Sequence, residues 1–96
     1  MKMVFIIYNE AVDEEVMELL RSSGAKNYTK IKGVLGKGST SGTHLGDDVW
    51  PGKNNFLYVA CTEGVAGAII ESVKNLRTTL GKEGVKAFVL PVEKVT

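Results

Sequence analysis

The pattern of apolar and polar positions divides the chain into segments with either a strand-like or a helix-like period. Segments rich in β-branched and aromatic residues predict four strands, and two segments with apolar residues at helical spacing predict two helices. The first strand reads MVFIIY without a charged residue, which is typical of a central strand. The four predicted strands are Met3 to Tyr8, Asn27 to Val34, Asn55 to Cys61 and Val85 to Val92.

The first predicted helix follows Asn9 and Asp13, whose side chains can both cap a helix N-terminus. Acidic residues in its first turn suit the positive end of the helix dipole and predict a solvated face. The helix is expected to end near Ser23, because Gly24 can adopt the left-handed conformation that stops a helix. Its apolar stripe is formed by Val12, Val16, Leu19 and Leu20.

The second predicted helix begins after Thr62, a residue that can cap it, and is expected to end at Gly81. Its charged residues, Arg77 among them, are expected to face water. Pro91 cannot donate a ladder hydrogen bond, so the last strand should lie at an edge or end at this residue. The broad apolar stripe of the helix consists of Val65, Ala66, Ile69, Ile70, Val73 and Leu76.

The resulting order is βαββαβ, in which each βα unit needs a right-handed crossover. This order predicts an α+β, ferredoxin-like fold, a four-stranded antiparallel sheet with both helices on one face. Strands MVFIIY and FLYVAC are apolar on both faces, although the helices can cover only one. An uncovered apolar face predicts self-association.

Composition narrows the classes of function. The 96 residues fit one domain, and 44% hydrophobic and 24% charged residues are typical of a folded globular protein. A formal charge of +1 gives no field that would attract nucleic acid or an anionic membrane, and no apolar run approaches the roughly 20 residues of a membrane-spanning helix. The single Cys61 is expected to be a small buried hydrophobe, which together with the absence of a visible export signal favours the cytoplasm.

The stretch from Gly33 to Asn54 has no period and holds six of the eleven glycines and the only His and Trp. It is where we expect function. Its GKGSTSG sequence lacks the spacing of a Walker phosphate-binding loop, which leaves either an anion-binding loop or a plain solvated loop. Trp50-Pro51-Gly52 has the composition of a type II turn with an aromatic anchor, either packed on the protein or stacked on a ring of a ligand.

His44, Asp47 and Asp48 could supply nitrogen and oxygen ligands to a divalent metal. The alternative is a hydrogen-bonding surface histidine beside two solvated carboxylates. No Ser/His/Asp or Cys/His set can be placed together, so we do not expect an enzyme.

Two stretches resemble the PII-like signal-transduction proteins, relatives of nitrogen regulatory protein PII. IKGVLGKG is similar to the family's entry into its long T-loop, and RTTLGKEGVKAFVLPVEKV is similar to its B-loop followed by an F-V-x-P-V-E strand. The βαββαβ order agrees with this resemblance but is common to many functions. Residues 1–96 are then one PII-like domain with a shortened T-loop at about 36–53.

The resemblance implies a cytoplasmic homotrimer that binds a small anionic effector between subunits and signals through its T-loop to a regulated partner protein. The effector would be an adenine nucleotide (ATP, ADP or AMP), with or without a divalent metal, and no cofactor would be required. Glycines let backbone N–H groups approach phosphate, and lysines add charge. The residues implied are Gly33, Gly36, Lys37 and Gly38 at the T-loop base, Lys53 at its far end, and Gly81, Lys82, Gly84 and Lys86 from the B-loop.

The sequence also departs from the family pattern. The residues after Pro91-Val92-Glu93 lack the arginines with which nitrogen-regulatory members bind phosphate, which argues against triphosphate binding. No tyrosine lies between Gly33 and Asn54, so the uridylylation of some members has no acceptor. The alternative function is a divalent-metal-binding trimer resembling the cation tolerance proteins, with His44 and Asp47 as ligands.

Overall fold

The computed structural model describes residues 1–36, 54–80 and 84–96. The strands are β1 (Lys2–Asn9), β2 (Thr29–Val34), β3 (Asn54–Cys61) and β4 (Val85–Pro91), and the helices are α1 (Asp13–Ser22) and α2 (Glu63–Leu80). A short 3-10 turn, Glu10–Val12, connects β1 to α1. Each predicted strand and helix is therefore confirmed, with ends that differ by two residues or fewer where they are described.

The four strands form one sheet in the order β2-β3-β1-β4, and every neighbouring pair is antiparallel. This is the ferredoxin-like arrangement that the sequence predicts. β1 lies at the centre because its uninterrupted apolar sequence can be covered on both sides, whereas the lysine-rich β2 and the proline-terminated β4 form the edges.

One face of the sheet packs against both helices. Side chains alternate along β1, so that Val4, Ile6 and Tyr8 are buried while their neighbours point to the other face. The core between sheet and helices consists of Val4, Ile6, Tyr8, Val16, Leu19, Leu20, Leu57, Val59, Ala66, Ile69, Val73 and Val85. Among the described residues, no helix has the length and apolar character needed to cross a membrane.

Several local predictions are confirmed. The Asn9 side chain accepts a hydrogen bond of 2.8 Å from the Ala11 amide, and the Thr62 hydroxyl accepts one of 3.2 Å from the Val65 amide. Gly24 follows α1 with a φ of 89°. Pro91 is the last residue of an edge strand.

Three local predictions are wrong. Asp13 does not cap α1, because its carboxylate accepts hydrogen bonds from side chains of the sheet instead. Cys61 is only half-buried, at the edge of the core, where burial raises the pKa of its thiol. Arg77 does not simply face water, because its guanidinium donates a 3.2 Å hydrogen bond to the Val85 carbonyl. The predicted end of α2 at Gly81 lies outside the described residues.

Alanine substitutions at two glycines are expected to change stability in opposite directions. Gly24→Ala should lower the free energy of unfolding by about 1–2 kcal/mol, because its φ of 89° is left-handed while the added methyl group meets only an ordinary contact at 3.8 Å. Gly67→Ala, in the middle of α2 with nothing within 4 Å of the added methyl group, should raise it by up to about 1 kcal/mol. Urea unfolding measures both changes in the free energy of unfolding. A change in the same direction for both variants would contradict the backbone conformations of Gly24 and Gly67.

Candidate functional site

The glycine-bearing end of the sheet is the end at which β2 finishes and β3 and β4 begin. Gly33 lies in an irregularity of β2, where the register against β3 shifts between Lys32 and Val34. Its φ of 71° is left-handed, a conformation that costs free energy for any residue with a side chain. Gly36 follows, and a methyl group at this position would lie 3.7 Å from the Asn54 side-chain nitrogen. Gly33 thus gives the backbone of this edge an unusual path, and Gly36 continues it beside Asn54.

The opposite edge of the same sheet end is formed by Gly84 and β4. The Asn9 amide donates a 3.1 Å hydrogen bond to the Gly84 carbonyl, which extends the pairing of β1 and β4 by one residue. The hydrogen bond from Arg77 to the Val85 carbonyl fixes the first residue of β4 to α2. Lys86 is exposed, and its ammonium lies 5.7 Å from the centre of the Phe88 ring.

The two edges do not meet within one chain. β3 and β1 lie between β2 and β4, so three strand spacings separate Gly33 from Gly84, about 14 Å in a sheet of ordinary dimensions. A ligand that contacts both edges must span the ends of β3 and β1, or each edge must face a neighbouring subunit.

A polar cluster lies beside this sheet end, on the helix-covered face. Asp13 Oδ1 accepts hydrogen bonds from the Tyr8 hydroxyl at 2.6 Å, the Lys30 ammonium at 2.9 Å and the Asn55 amide nitrogen at 3.4 Å. We call Tyr8, Asp13, Lys30 and Asn55 the Asp13 cluster. It ties the first residue of α1 to three strands of the sheet.

Burial and hydrogen bonding shift the pKa values of two groups in the cluster. Burial, together with the hydrogen bond to Asp13, raises the pKa of Tyr8, so its hydroxyl stays a donor. Burial alone would raise the pKa of Asp13, but hydrogen bonds from Tyr8 and Lys30 outweigh it and lower that pKa below 3.8. The cluster at neutral pH is therefore a neutral hydroxyl and amide around an ion pair.

Acid is expected to weaken the fold through Asp13. Because the folded-state pKa is lower than the ordinary value of 3.8, the carboxylate contributes stability above that value and loses it as the pH falls through the folded pKa. Asp13→Asn lacks this contribution, so its free energy of unfolding should fall less steeply than that of the wild type below about pH 4. Urea unfolding as a function of pH measures the difference, and parallel curves would contradict it.

The face of the sheet that the helices leave uncovered is apolar and aromatic. Phe5 and Phe56 have ring centres 5.3 Å apart, and Tyr58 lies next to Phe56 with ring centres 6.3 Å apart. Four further large apolar side chains of this face are more than a third exposed, namely Ile7, Ile31, Phe88 and Leu90. We call the set the open sheet face. The sequence predicts such a face, and the chain presents it.

The residues predicted to bind ligand divide into two groups. Gly33, Gly36, Gly84 and Lys86 are described, and the structure places them at the two edges of one sheet end. The others lie outside the described residues: Lys37, Gly38, Lys53, Gly81 and Lys82, together with the metal candidates His44 and Asp47. Their roles stay predictions. Within the described ranges, no group of three or more His, Cys, Asp or Glu side chains could hold a metal ion.

The Asp13 cluster and the hydrogen bond from Arg77 to the Val85 carbonyl were not predicted from the sequence. A signal for the cluster was present, because Tyr8 and Asn55 occupy inward-facing positions of strands in which the other inward residues are aliphatic. Polar groups at such positions need partners, and their mutual pairing could have been sought. No feature of the sequence around Arg77 indicated its hydrogen bond to the Val85 carbonyl.

The order of the strands and the two helices on one face define a ferredoxin-like domain whose other sheet face is open and apolar. The sequence profile of nitrogen regulatory protein P-II matches residues 1–96, and the chain belongs to this family of signalling regulators. A comparison with curated proteins finds no match.

Solved structures agree with the family. A PII-like signaling protein from Thermus thermophilus is 25% identical, with a TM-score of 0.68 over 93% of this chain and 82% of that one. CPII from Thiomonas intermedia, a PII-like protein solved with ADP and bicarbonate, is 26% identical, with a TM-score of 0.67 over 97% and 88%. A CPII structure solved with ADP, AMP and bicarbonate, 24% identical over 93% of this chain and 82% of that one, has a TM-score of 0.70 and supports the fold.

Proposed function

We propose that the protein is a homotrimeric PII-like regulator that binds an adenine nucleotide in clefts between subunits and signals through its T-loop, residues about 36–53, to a partner protein. It acts by regulation and not by catalysis. The proposal rests on one observation: this P-II family chain combines an open apolar sheet face with glycine-bearing strand ends on the two edges beside that face.

The open sheet face supports the trimer. Phe5, Phe56 and Phe88 lie side by side across β1, β3 and β4, and Phe88 is 44% exposed in the single chain. An aromatic patch continuous over three strands is stabilised when another apolar surface covers it. Packing of three such faces around an axis would also place an edge of one subunit's sheet beside an edge of a neighbouring subunit's sheet. One ligand could then contact Gly33 of one subunit and Gly84 of its neighbour, although the two glycines lie far apart within a single chain.

The composition of the strand ends supports an anionic ligand. The T-loop side offers Gly33, Gly36, Lys37, Gly38 and Lys53, and the B-loop side offers Gly81, Lys82, Gly84 and Lys86. Backbone amides at glycines and lysine ammonium groups both suit phosphate. CPII, a similar protein, was solved with ADP and bicarbonate. ADP is therefore the nucleotide we expect to bind, and bicarbonate is the second anion to test with it.

Signalling would follow from the position of the bound nucleotide. Contacts to Gly36, Lys37 and Gly38 would involve the first residues of segment 36–53, the place of the family's T-loop. Occupancy of the cleft would change what this segment offers to a partner. The partner would thereby respond to the nucleotide level without contacting the nucleotide.

Isothermal titration calorimetry tests the ligand. ADP is expected to bind the purified protein, with ATP, AMP and cyclic AMP titrated for comparison and each titration repeated with bicarbonate present. Lysozyme in the same buffer controls for heats of dilution and nonspecific binding. Absence of binding heat with all four nucleotides, with and without bicarbonate, would refute the nucleotide as effector.

A further inference from the structure

We propose that the Asp13 cluster positions both glycine-bearing edges of the sheet and so sets the affinity for the bound nucleotide. Tyr8, Asp13, Lys30 and Asn55 are positioning residues in this proposal, because none of them is among the residues expected to contact the ligand. The inference rests on the proposed function and adds a determinant of affinity outside the cleft.

The cluster includes a residue of one edge strand and extends to the strand beside the other edge. Lys30 belongs to β2, three residues before Gly33, and Asn55 of β3 pairs with Lys32 on one side and with Tyr8 on the other. Tyr8 in turn pairs with Val85, the residue after Gly84. Hydrogen bonds among these side chains therefore connect the strand that carries Gly33 to the strand that pairs with the residues next to Gly84.

The burial of the cluster gives it little freedom. Tyr8 and Asn55 are each 1% exposed, and the Lys30 and Asp13 side chains that form the ion pair are 19% and 35% exposed. A partly desolvated ion pair with two further donors at the same oxygen has one favourable arrangement, because any displacement leaves a polar group unpaired. The cluster thus specifies the relative positions of α1, β1, β2 and β3.

Stability alone explains the cluster poorly. Asn55 Oδ1 is buried without a hydrogen-bond partner among the described residues, and an unpaired buried acceptor is destabilising. Apolar side chains of similar volume at these inward positions would avoid that cost and the desolvation of the ion pair. What the polar arrangement provides is fixed geometry at the sheet end on which the glycines lie.

Charge gives a test that separates positioning from simple electrostatics. Asp13→Asn removes a negative charge and Lys30→Met removes a positive one. If these residues acted only through their field on an anionic ligand, the first variant would bind ADP more tightly and the second more weakly. If they act by positioning, both variants bind more weakly, because each breaks the same ion pair.

The experiment is calorimetric titration of ADP into the wild type and four variants. We expect Asp13→Asn and Lys30→Met to weaken binding by about 3- to 30-fold. Lys30→Arg keeps the charge and can donate to Asp13, so it should recover most of the affinity that Lys30→Met loses. Glu14→Gln is the matched control: it makes the same charge change as Asp13→Asn one residue further along α1, outside the cluster, and should stay within about twofold of the wild type.

Each outcome is decisive. Tighter binding by Asp13→Asn, or unchanged binding by both cluster variants, overturns the positioning role while leaving the proposed function intact. Absence of wild-type binding to ADP, ATP, AMP and cyclic AMP alike overturns the proposed function and the inference with it. If Asp13→Asn does not fold, Tyr8→Phe takes its place, because it removes one hydroxyl and no charge, and wild-type affinity in that folded variant overturns the inference.

Discussion

Phe5→Asp is expected to dissociate the proposed trimer into folded monomers. Phe5 lies at the centre of the open sheet face, opposite Tyr58 of β3 and Phe88 of β4 and 5.3 Å from the Phe56 ring. In a trimer built on this face, each subunit would bury an unpaired carboxylate, at a cost of at least about 3 kcal/mol per site. Three such sites would raise the dissociation constant by several orders of magnitude. Sedimentation velocity at micromolar concentration measures the change.

The control for Phe5→Asp is Asn75→Asp. It adds the same charge on the exposed surface of α2, on the helix side of the sheet, and should leave the assembly unchanged. Circular dichroism should report the same secondary structure for both variants, because Phe5 is not part of the core between sheet and helices. A Phe5→Asp variant that sediments like the wild type would show that the open sheet face is not the interface.

Gly33→Ala is expected to weaken ADP binding about tenfold or more, the equivalent of ~1.4 kcal/mol. An alanine at a φ of 71° is strained, and relief of that strain would move the backbone that leads to Gly36. The amides of this stretch would then no longer lie where a phosphate needs them. Calorimetric titration with ADP measures the loss.

Gly24→Ala is the matched control for Gly33→Ala. Both substitutions place a methyl group on a left-handed backbone, so both should destabilise the fold by about 1–2 kcal/mol in urea. Gly24 follows α1 beside Val65, at the other end of the sheet, and its variant should bind ADP as the wild type does. Equal loss of affinity in both variants would mean that stability, and not the path of the backbone at Gly33, controls binding.

The fold was predictable because local patterns determine most of it. Alternation in β1 directs Val4 and Ile6 to one face, and helical spacing in α2 places Ile69 and Val73 on one stripe. The stop at Gly24 was also predictable, since few residues other than glycine adopt a φ of 89°. In each case the relevant interaction lies within a few residues of sequence.

The Asp13 cluster was not predictable in the same way. An aspartate at the start of a helix is a good cap, and the sequence around Asp13 favours that interpretation. Besides Tyr8, its partners Lys30 and Asn55 lie 17 and 42 residues away, and only the folded sheet brings these two within hydrogen-bonding distance. The hydrogen bond of Arg77 was not predictable for the same reason. Its guanidinium reaches the Val85 carbonyl only because α2 packs against β4.

The candidate site was predictable in composition but not in arrangement. The glycines and lysines near the two strand ends predict an anion-binding chemistry. That Gly33 and Gly84 lie on opposite edges of one sheet end follows from the strand order β2-β3-β1-β4, and that separation favours a cleft between subunits over one within a single chain. The apolar pattern of the strands predicts self-association through the open sheet face, but it does not specify which edges of neighbouring sheets would meet.

Native mass spectrometry in the presence of ADP tests the proposed function most directly, because one spectrum reports both the number of subunits and the number of bound nucleotides. We expect a species of three chains of 10.4 kDa each, carrying up to one ADP per inter-subunit cleft, with no ADP on any monomer released from it. A monomer as the only species, or a trimer that carries no ADP at saturating concentration, would contradict the proposal.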